Sequence, residues 1–202
     1  MIATSSSPLW YLSRGTGVVT LVLFTLVIVL GILTKGGRPL PGLPRFAVAG
    51  LHRNASLLAI AFLVIHIVTA VIDPFVTIKW LDVFVPFVGT YHPLWIGLGA
   101  LSLDLMLAVV VTSLLRLRIG RGVWRAVHWT AYAAWPLAII HSFTLGPDVR
   151  SGLELRLAVA CVLVSGLAIA WRLAVASAEA DGSGTNGSTL PLSALTRSKV
   201  RP

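Results

Sequence analysis

Residues 51–68 read LHRNASLLAIAFLVIHIV, an apolar stretch that carries two histidines, His52 and His66, fourteen positions apart. In an α-helix that spacing covers about 21 Å along the axis, because each residue rises about 1.5 Å. With 3.6 residues per turn, the two side chains lie within about 40° of each other around the helix. Ionisable side chains inside membrane-length apolar helices are costly and usually functional. The stretch therefore predicts a helix with two functional histidines on one face.

The composition of the whole chain is that of an integral membrane protein. Of its 202 residues, 56% are hydrophobic and 11% are charged, and the mean hydropathy is +0.90. Soluble domains carry about 25% charged residues. A helix of about 20 apolar residues crosses a bilayer. We predict an all-α integral membrane protein, a bundle of five transmembrane helices, over residues 10–34, 46–72, 93–115, 123–145 and 154–176.

The segments around these spans are short or polar. The first span lacks a small-residue cleavage site, so we expect it to stay in the mature chain after a short N-terminus of residues 1–9. Residues 73–92 are too polar and proline-broken to span and are expected at the membrane interface. Residues 177–202 are small and polar, which predicts a disordered tail.

Lysines and arginines are divided unevenly between the two sides of the predicted bundle. One side has twelve: Lys35, Arg38, Arg45, Arg53, Arg116, Arg118, Arg121, Arg125, Arg172, Arg197, Lys199 and Arg201. The other side has four: Arg14, Lys79, Arg150 and Arg156. Positive charge accumulates on the cytoplasmic side, so the N-terminus is expected outside and the C-terminus in the cytoplasm. This pattern explains the net charge of +9 without nucleic-acid binding, and thirteen arginines against three lysines favour a bacterial plasma membrane.

A second pair of histidines, His128 and His141, lies on the fourth predicted span, thirteen positions apart. The second and fourth spans run parallel, which puts His52 level with His128 near the inner leaflet and His66 level with His141 near the outer one. Thirteen steps of an ideal helix leave His128 and His141 about 140° apart. Pro136 lies between them, and we expect a distortion there to turn both toward the same neighbour.

Two level pairs of imidazoles are what two stacked haems with two axial histidines each require. Zinc or copper is disfavoured because the histidines of one helix are about 20 Å apart. The single cysteine, Cys161, excludes a multi-cysteine metal or iron–sulfur site. The alternative for any one histidine is a hydrogen-bonded core residue. Small neighbours that leave room for a macrocycle, but that also promote ordinary helix packing, are Ala49, Ala55, Ala131 and Ala138.

The four-histidine pattern resembles the ferric reductase-like transmembrane domain, a family that includes NADPH oxidases, ferric reductases and the haem subunit of a bacterial methionine sulfoxide reductase system. The motifs that carry the resemblance are LHRN and VIHIV on the second span, AVHWTAY and AIIHSF on the fourth, and the opening WYLSRGTG. The resemblance covers residues 9–176 and implies electron transfer across the membrane through two b-type haems. It implies that His52 and His128 bind the inner haem iron and that His66 and His141 bind the outer one.

This sequence differs from the oxidases in that no flavin- or nicotinamide-binding motif, such as G-x-G-x-x-G after a strand, is present. We therefore expect the electrons to come from membrane quinone or from a separate flavoprotein, as in small bacterial members, and to reach an unknown acceptor outside. Two other functions stay open. The histidines and Asp104 could act as relays in a transporter of protons or small solutes, or the chain could be a haem-containing anchor for a catalytic partner.

Several further residues have both a functional and an ordinary interpretation. Arg14, Arg53 and Arg125 could pair with haem propionates, since guanidinium binds carboxylate in a bidentate manner, or they could only set the orientation. Asp104, in the middle of the third span, could bond a ligand histidine, relay protons or bond a neighbouring helix. His92 could border an acceptor site together with Tyr91, Asp73 and Lys79, or contact lipid headgroups.

Overall fold

The computed structural model describes residues 8–35, 44–74, 76–145 and 152–185, and the regular secondary structure within these ranges is helical throughout. The helices are α1 (Pro8–Lys35), α2 (Arg45–Ile72), α3 (Trp80–Phe84), α4 (Pro93–Leu114), α5 (Arg121–Trp129), α6 (Ala131–Leu145) and α7 (Gly152–Thr185).

Four of these helices, α1, α2, α4 and α7, are long and apolar enough to cross a membrane. The chain is therefore a multi-pass helical membrane protein, as its composition predicted. The remaining predicted span, 123–145, is divided at Thr130 into α5 and α6, which contain 9 and 15 residues. Neither piece alone has the roughly 20 residues that a bilayer requires, so this predicted span is not confirmed as one continuous helix.

Two helices begin where proline predicts a start. Pro8 opens α1 and Pro93 opens α4, and proline suits the first helical turn because its missing N–H has no partner there in any case. The connection before α4 forms one short helix, α3, in which Asp82 accepts a hydrogen bond from the backbone N–H of Lys79 (3.0 Å). This part of the chain does not span, in agreement with the sequence.

The last helix extends past the predicted end of the last span. α7 continues to Thr185, nine residues past the expected end of the last span at 176. The local sequence at 176–181 is ASAEAD. Its alanines and glutamate have high helix propensity although they are small or polar. Residues 186–202 lie outside the described residues.

The packing of the bundle separates α2 from α5 and α6, the three helices that carry the paired histidines. α1 packs along α2 and also contacts α6 and α7, while α4 packs along α6. Two side-chain hydrogen bonds link α6 to its neighbours. Trp135 of α6 donates to Thr25 Oγ1 of α1 (3.1 Å), and Ser102 of α4 donates to the Ala134 carbonyl of α6 (2.8 Å). Within the described ranges, α2 makes no comparably close contact with α5 or α6. A space therefore remains between them.

The bundle has two ends, which we call the Arg14 end and the Arg53 end. At the Arg14 end α1, α4 and α7 begin and α2 and α6 end, and one cavity touches residues from all five helices. At the opposite Arg53 end α1 and α4 finish and α2 and α5 begin.

Ala134 is the most tightly enclosed residue of the main core cluster. Its exposed fraction is 0%, and it packs with Phe24, Ile28 and Ile32 of α1. Replacing Ala134 by leucine is expected to destabilise the protein by about 1–3 kcal/mol, because extra methyl groups in a filled core force strained side chains. The measurement is the thermal unfolding temperature in detergent. Ala133→Leu is the matched control since Ala133 is exposed; equal unfolding temperatures for the two variants would contradict this packing.

Candidate functional site

The first pair of predicted histidines is brought face to face. His52 on α2 and His128 on α5 have ring centres 6.4 Å apart, with an angle of 61° between the ring planes. The His128 ring also stacks on Trp124, one turn earlier on α5, with a centre-to-centre distance of 5.0 Å. The pair lies toward the Arg53 end, so the expectation that these two histidines are level with each other holds in the structure.

The second pair lies at the other end of the bundle. His66 of α2 and His141 of α6 both line a cavity of about 270 Å³. The cavity reaches from Phe24 and Met106 in the middle of the bundle to Trp10 at the Arg14 end. Its other walls come mainly from small or apolar residues, including Gly17, Leu21, Ile67, Ala70, Gly99, Ala100 and Ala138. The four histidines thus form two pairs, one toward each end.

Three of the four imidazoles are held by the same kind of hydrogen bond. Nδ1 of His52 lies 3.0 Å from the Val27 carbonyl oxygen, Nδ1 of His66 lies 2.7 Å from that of Ser13, and Nδ1 of His141 lies 2.8 Å from that of Trp95.

These bonds decide which ring nitrogen carries the proton. A carbonyl oxygen can only accept a hydrogen bond, so Nδ1 of His52, His66 and His141 must donate one. In the neutral ring the proton is then on Nδ1, and Nε2 keeps a free lone pair. Histidines that bind metals are commonly oriented in this way, with the second nitrogen donating to a carbonyl. The arrangement therefore leaves the Nε2 lone pair of these three rings able to accept a hydrogen bond or bind a metal.

The helix that carries His128 and His141 is distorted between them, but not at Pro136. Pro136 lies inside α6, whereas the break is at Thr130, whose N–H and hydroxyl both bond the Val127 carbonyl (2.9 and 2.7 Å). Proline crowds the carbonyl four residues earlier, here that of Tyr132 in the first turn of α6, and the break lies two residues before that position. The predicted position was wrong, yet both histidines face α2 despite their thirteen-residue spacing.

Arg14 lies beside the cavity of His66 and His141. Its guanidinium forms an ion pair with Glu154 of α7 (3.1 Å) and lies over the Trp10 ring, 4.6 Å from the ring centre. Arg53 and Arg125 are exposed at the opposite end, one residue after His52 and three before His128 respectively. The structure thus places one arginine at the mouth of one pair and two near the other pair.

Asp104 and His92 lie away from the paired histidines. Among the described residues, the cavity is lined from α4 by Ile96, Gly99, Ala100, Ser102, Leu103 and Met106, and Asp104 is not one of them. His92 is exposed at the residue before α4, with its ring against Tyr91 (4.6 Å between centres). Of the group predicted with His92, Asp73 and Tyr91 line the cavity, whereas Lys79 does not.

A comparison with known families matches residues 16–139 to the ferric reductase like transmembrane component. The match covers more than half of the 202 residues. The chain belongs to the ferric reductase-like transmembrane family. No curated protein and no solved structure matched it.

Membership of this family makes the chain part of a group of membrane electron-transfer proteins, as the resemblance in its motifs predicted. The family match includes His52, His66 and His128 and ends two residues before His141. The pairing of His141 with His66 across one cavity therefore comes from the structure rather than from the match. In the described part of the chain, no cluster of three His, Cys, Asp or Glu side chains suits an ordinary metal-ion site.

Sequence reasoning did not find the groups that hold the histidines. The carbonyls of Ser13, Val27 and Trp95 carry no side-chain signal, so their role follows only from helix packing. Trp124 precedes His128 by four positions, a spacing that places both on one helix face, and this signal was available. Glu154 was recognisable as an acidic residue at the start of an apolar helix, but its partner Arg14 is 140 positions away.

Proposed function

We propose that this protein carries electrons across a membrane through two b-type haems. His52 and His128 would hold one haem toward the Arg53 end, and His66 and His141 would hold the other toward the Arg14 end. Bound haem supplies an iron that takes up and releases single electrons. Two histidines would serve each iron, which would suit electron transfer because neither iron would offer an open position.

The observation that carries the proposal is the repeated arrangement of the histidines. In each pair the residues come from different helices, and three of the four Nδ1 atoms are engaged by carbonyls, which leaves Nε2 as the ligand atom. A proton relay needs donors and acceptors in a chain, whereas these histidines lie in two separate groups, about 20 Å apart along the helices. The transporter alternative therefore has less support.

The distance between the His52 and His128 rings fits a haem iron held between them. An imidazole nitrogen binds a transition metal at about 2 Å, so two rings that share one iron would have centres about 6 Å apart. The 6.4 Å between the centres of His52 and His128 agrees with this value. α2 does not pack closely on α6 in the described ranges, and the cavity that His66 and His141 line there has largely apolar walls.

The arginines support an orientation for the protein and a role for its two ends. The described part of the Arg53 end carries the exposed residues Arg53, Arg116, Arg118, Arg121 and Arg125, and positive charge marks the cytoplasmic side. We propose that this end faces the cytoplasm of a bacterium and receives electrons from quinone or a separate flavoprotein. We propose that Arg14, beside its partners Glu154 and Trp10, also pairs with a haem propionate at the outer end, and that Arg53 or Arg125 does so at the inner end.

The direct test is an absorption spectrum of the protein purified after expression with ample haem. We expect a Soret band, a dithionite-reduced-minus-oxidised spectrum of low-spin haem b, and two haems per chain. Reoxidation by ferric chelate, oxygen and quinone analogues would then rank the acceptors. A colourless protein that transports protons or solutes would overturn the proposal, and a red protein active only with a co-purified enzyme would make it an anchor subunit.

A further inference from the structure

Three glycines pack directly against three of the four paired histidines. A Cβ atom placed on Gly99 would lie 2.6 Å from both Nδ1 and Cε1 of His141. A Cβ atom on Gly17 would lie 2.9 Å from Nδ1 and 3.0 Å from Cε1 of His66. Real Cβ atoms essentially never approach other atoms more closely than 3.0 Å, so any other residue at Gly99 or Gly17 displaces the imidazole.

Gly31 repeats this contact at the other end of α1. A Cβ atom there would lie 3.3 Å from Cε1 and 3.7 Å from Nδ1 of His52, tighter than most real contacts but not impossible. Gly17 and Gly31 are fourteen positions apart, the same spacing as His66 and His52 on the antiparallel α2. The two helices thus meet in one repeated register.

Each of these glycines follows the carbonyl that binds its histidine by four residues. The three pairs are Ser13 with Gly17, Val27 with Gly31, and Trp95 with Gly99. The reason is geometric. A helical Cβ points toward the helix N-terminus, so a side chain covers the turn that precedes its own Cα. A side chain four residues after the carbonyl would cover the place where the imidazole sits.

We propose that Gly17, Gly31 and Gly99 are positioning residues that fix the orientation of the ligand imidazoles. Each glycine and the carbonyl four residues before it form what we call a carbonyl–glycine seat. The carbonyl fixes Nδ1–H, the bare glycine surface sets the plane of the ring, and Nε2 is thereby aimed away from the seat. This inference rests on the proposed function, because it assigns the seats to the haem ligands.

The seats predict a graded effect of alanine. Gly99→Ala forces the largest displacement and is expected to lose the haem of His141 while the other haem stays bound. Gly17→Ala acts on the same haem, through His66, and is expected to weaken or reorient it. Gly31→Ala requires a shift of only a few tenths of an ångström, so it is expected to keep both haems and change the spectrum of the His52 haem alone.

The experiment compares these variants with Gly15→Ala on α1 and Gly50→Ala on α2, where an added Cβ meets nothing within 4 Å. The readouts are haem per purified chain and the electron paramagnetic resonance spectrum of the oxidised protein, whose low-spin signals depend on the mutual orientation of the two axial rings. Neither readout depends on a donor or acceptor. We expect both controls to match the wild type.

The outcomes separate the two proposals. Wild-type protein without haem would refute the proposed function itself. Wild-type protein with two haems, together with Gly99→Ala and Gly17→Ala variants of unchanged haem content and spectrum, would refute the seats alone. Equal losses in Gly15→Ala and Gly17→Ala would also refute them, by showing a general effect on α1. If Gly99→Ala fails to fold, the inference is tested by Gly31→Ala. An unchanged electron paramagnetic resonance spectrum of the His52 haem in that variant would overturn the inference.

Discussion

Replacing His66 by alanine is expected to remove one of two haems and to leave the other in place. His66 and His141 line the same cavity toward the Arg14 end, while His52 and His128 face each other toward the opposite end. The two sites are about 21 Å apart along α2. If the proposed assignment holds, loss of His66 would affect the haem at the Arg14 end and leave the haem at the Arg53 end with both of its histidines.

The measurement is the haem-to-protein ratio by pyridine haemochrome, together with the amplitude of the reduced-minus-oxidised spectrum. His92→Ala is the control, because His92 is exposed before α4 and faces Tyr91 rather than a second histidine. Helicity by circular dichroism shows whether the variants fold. If His66→Ala kept both haems, His66 would not be a ligand; if a folded variant lost both, the sites would not be independent.

Most of the architecture was predictable because it depends on local composition. The starts and ends of α2 and α4 differ from the predicted spans by no more than one residue, since apolar runs bounded by Pro44, Asp73 and Pro93 leave little choice. The division at Thr130 was not predictable, because it lies six residues before Pro136, outside the four-residue reach of the proline ring. The helical residues 177–185 were missed because small polar residues are compatible with both helix and coil.

The sequence predicted which histidines pair with each other, but it did not predict which groups hold them. Fourteen- and thirteen-residue spacings on two parallel helices were enough to pair His52 with His128 and His66 with His141. The hydrogen bonds to Ser13, Val27 and Trp95 come from main-chain carbonyls, which every residue has. Their sequence signal is the glycine four residues later, and it acquires meaning only when the histidine that faces it is known.

In sealed vesicles, His128→Ala is expected to abolish electron transfer across the membrane even though it keeps the haem of His66 and His141. The hydrocarbon core is about 30 Å thick, and the two histidine levels are about 20 Å apart. With a single haem near one end, electrons would have to cross most of the hydrocarbon core without a carrier. His128 belongs to the pair at the Arg53 end, so its loss is expected to remove the carrier there.

The vesicles would contain trapped ferricyanide, with a membrane-impermeant reductant added outside, and the bleaching of ferricyanide gives the rate. Wild-type protein is expected to exceed protein-free vesicles clearly, and His128→Ala is expected to fall to their level while a Soret band persists. Ala126→Leu, an exposed position on the same helix, serves as the control for insertion and should conduct as the wild type does. Because transfer needs both levels, a His128→Ala variant that conducted at the wild-type rate would show that electrons bypass the His52–His128 pair.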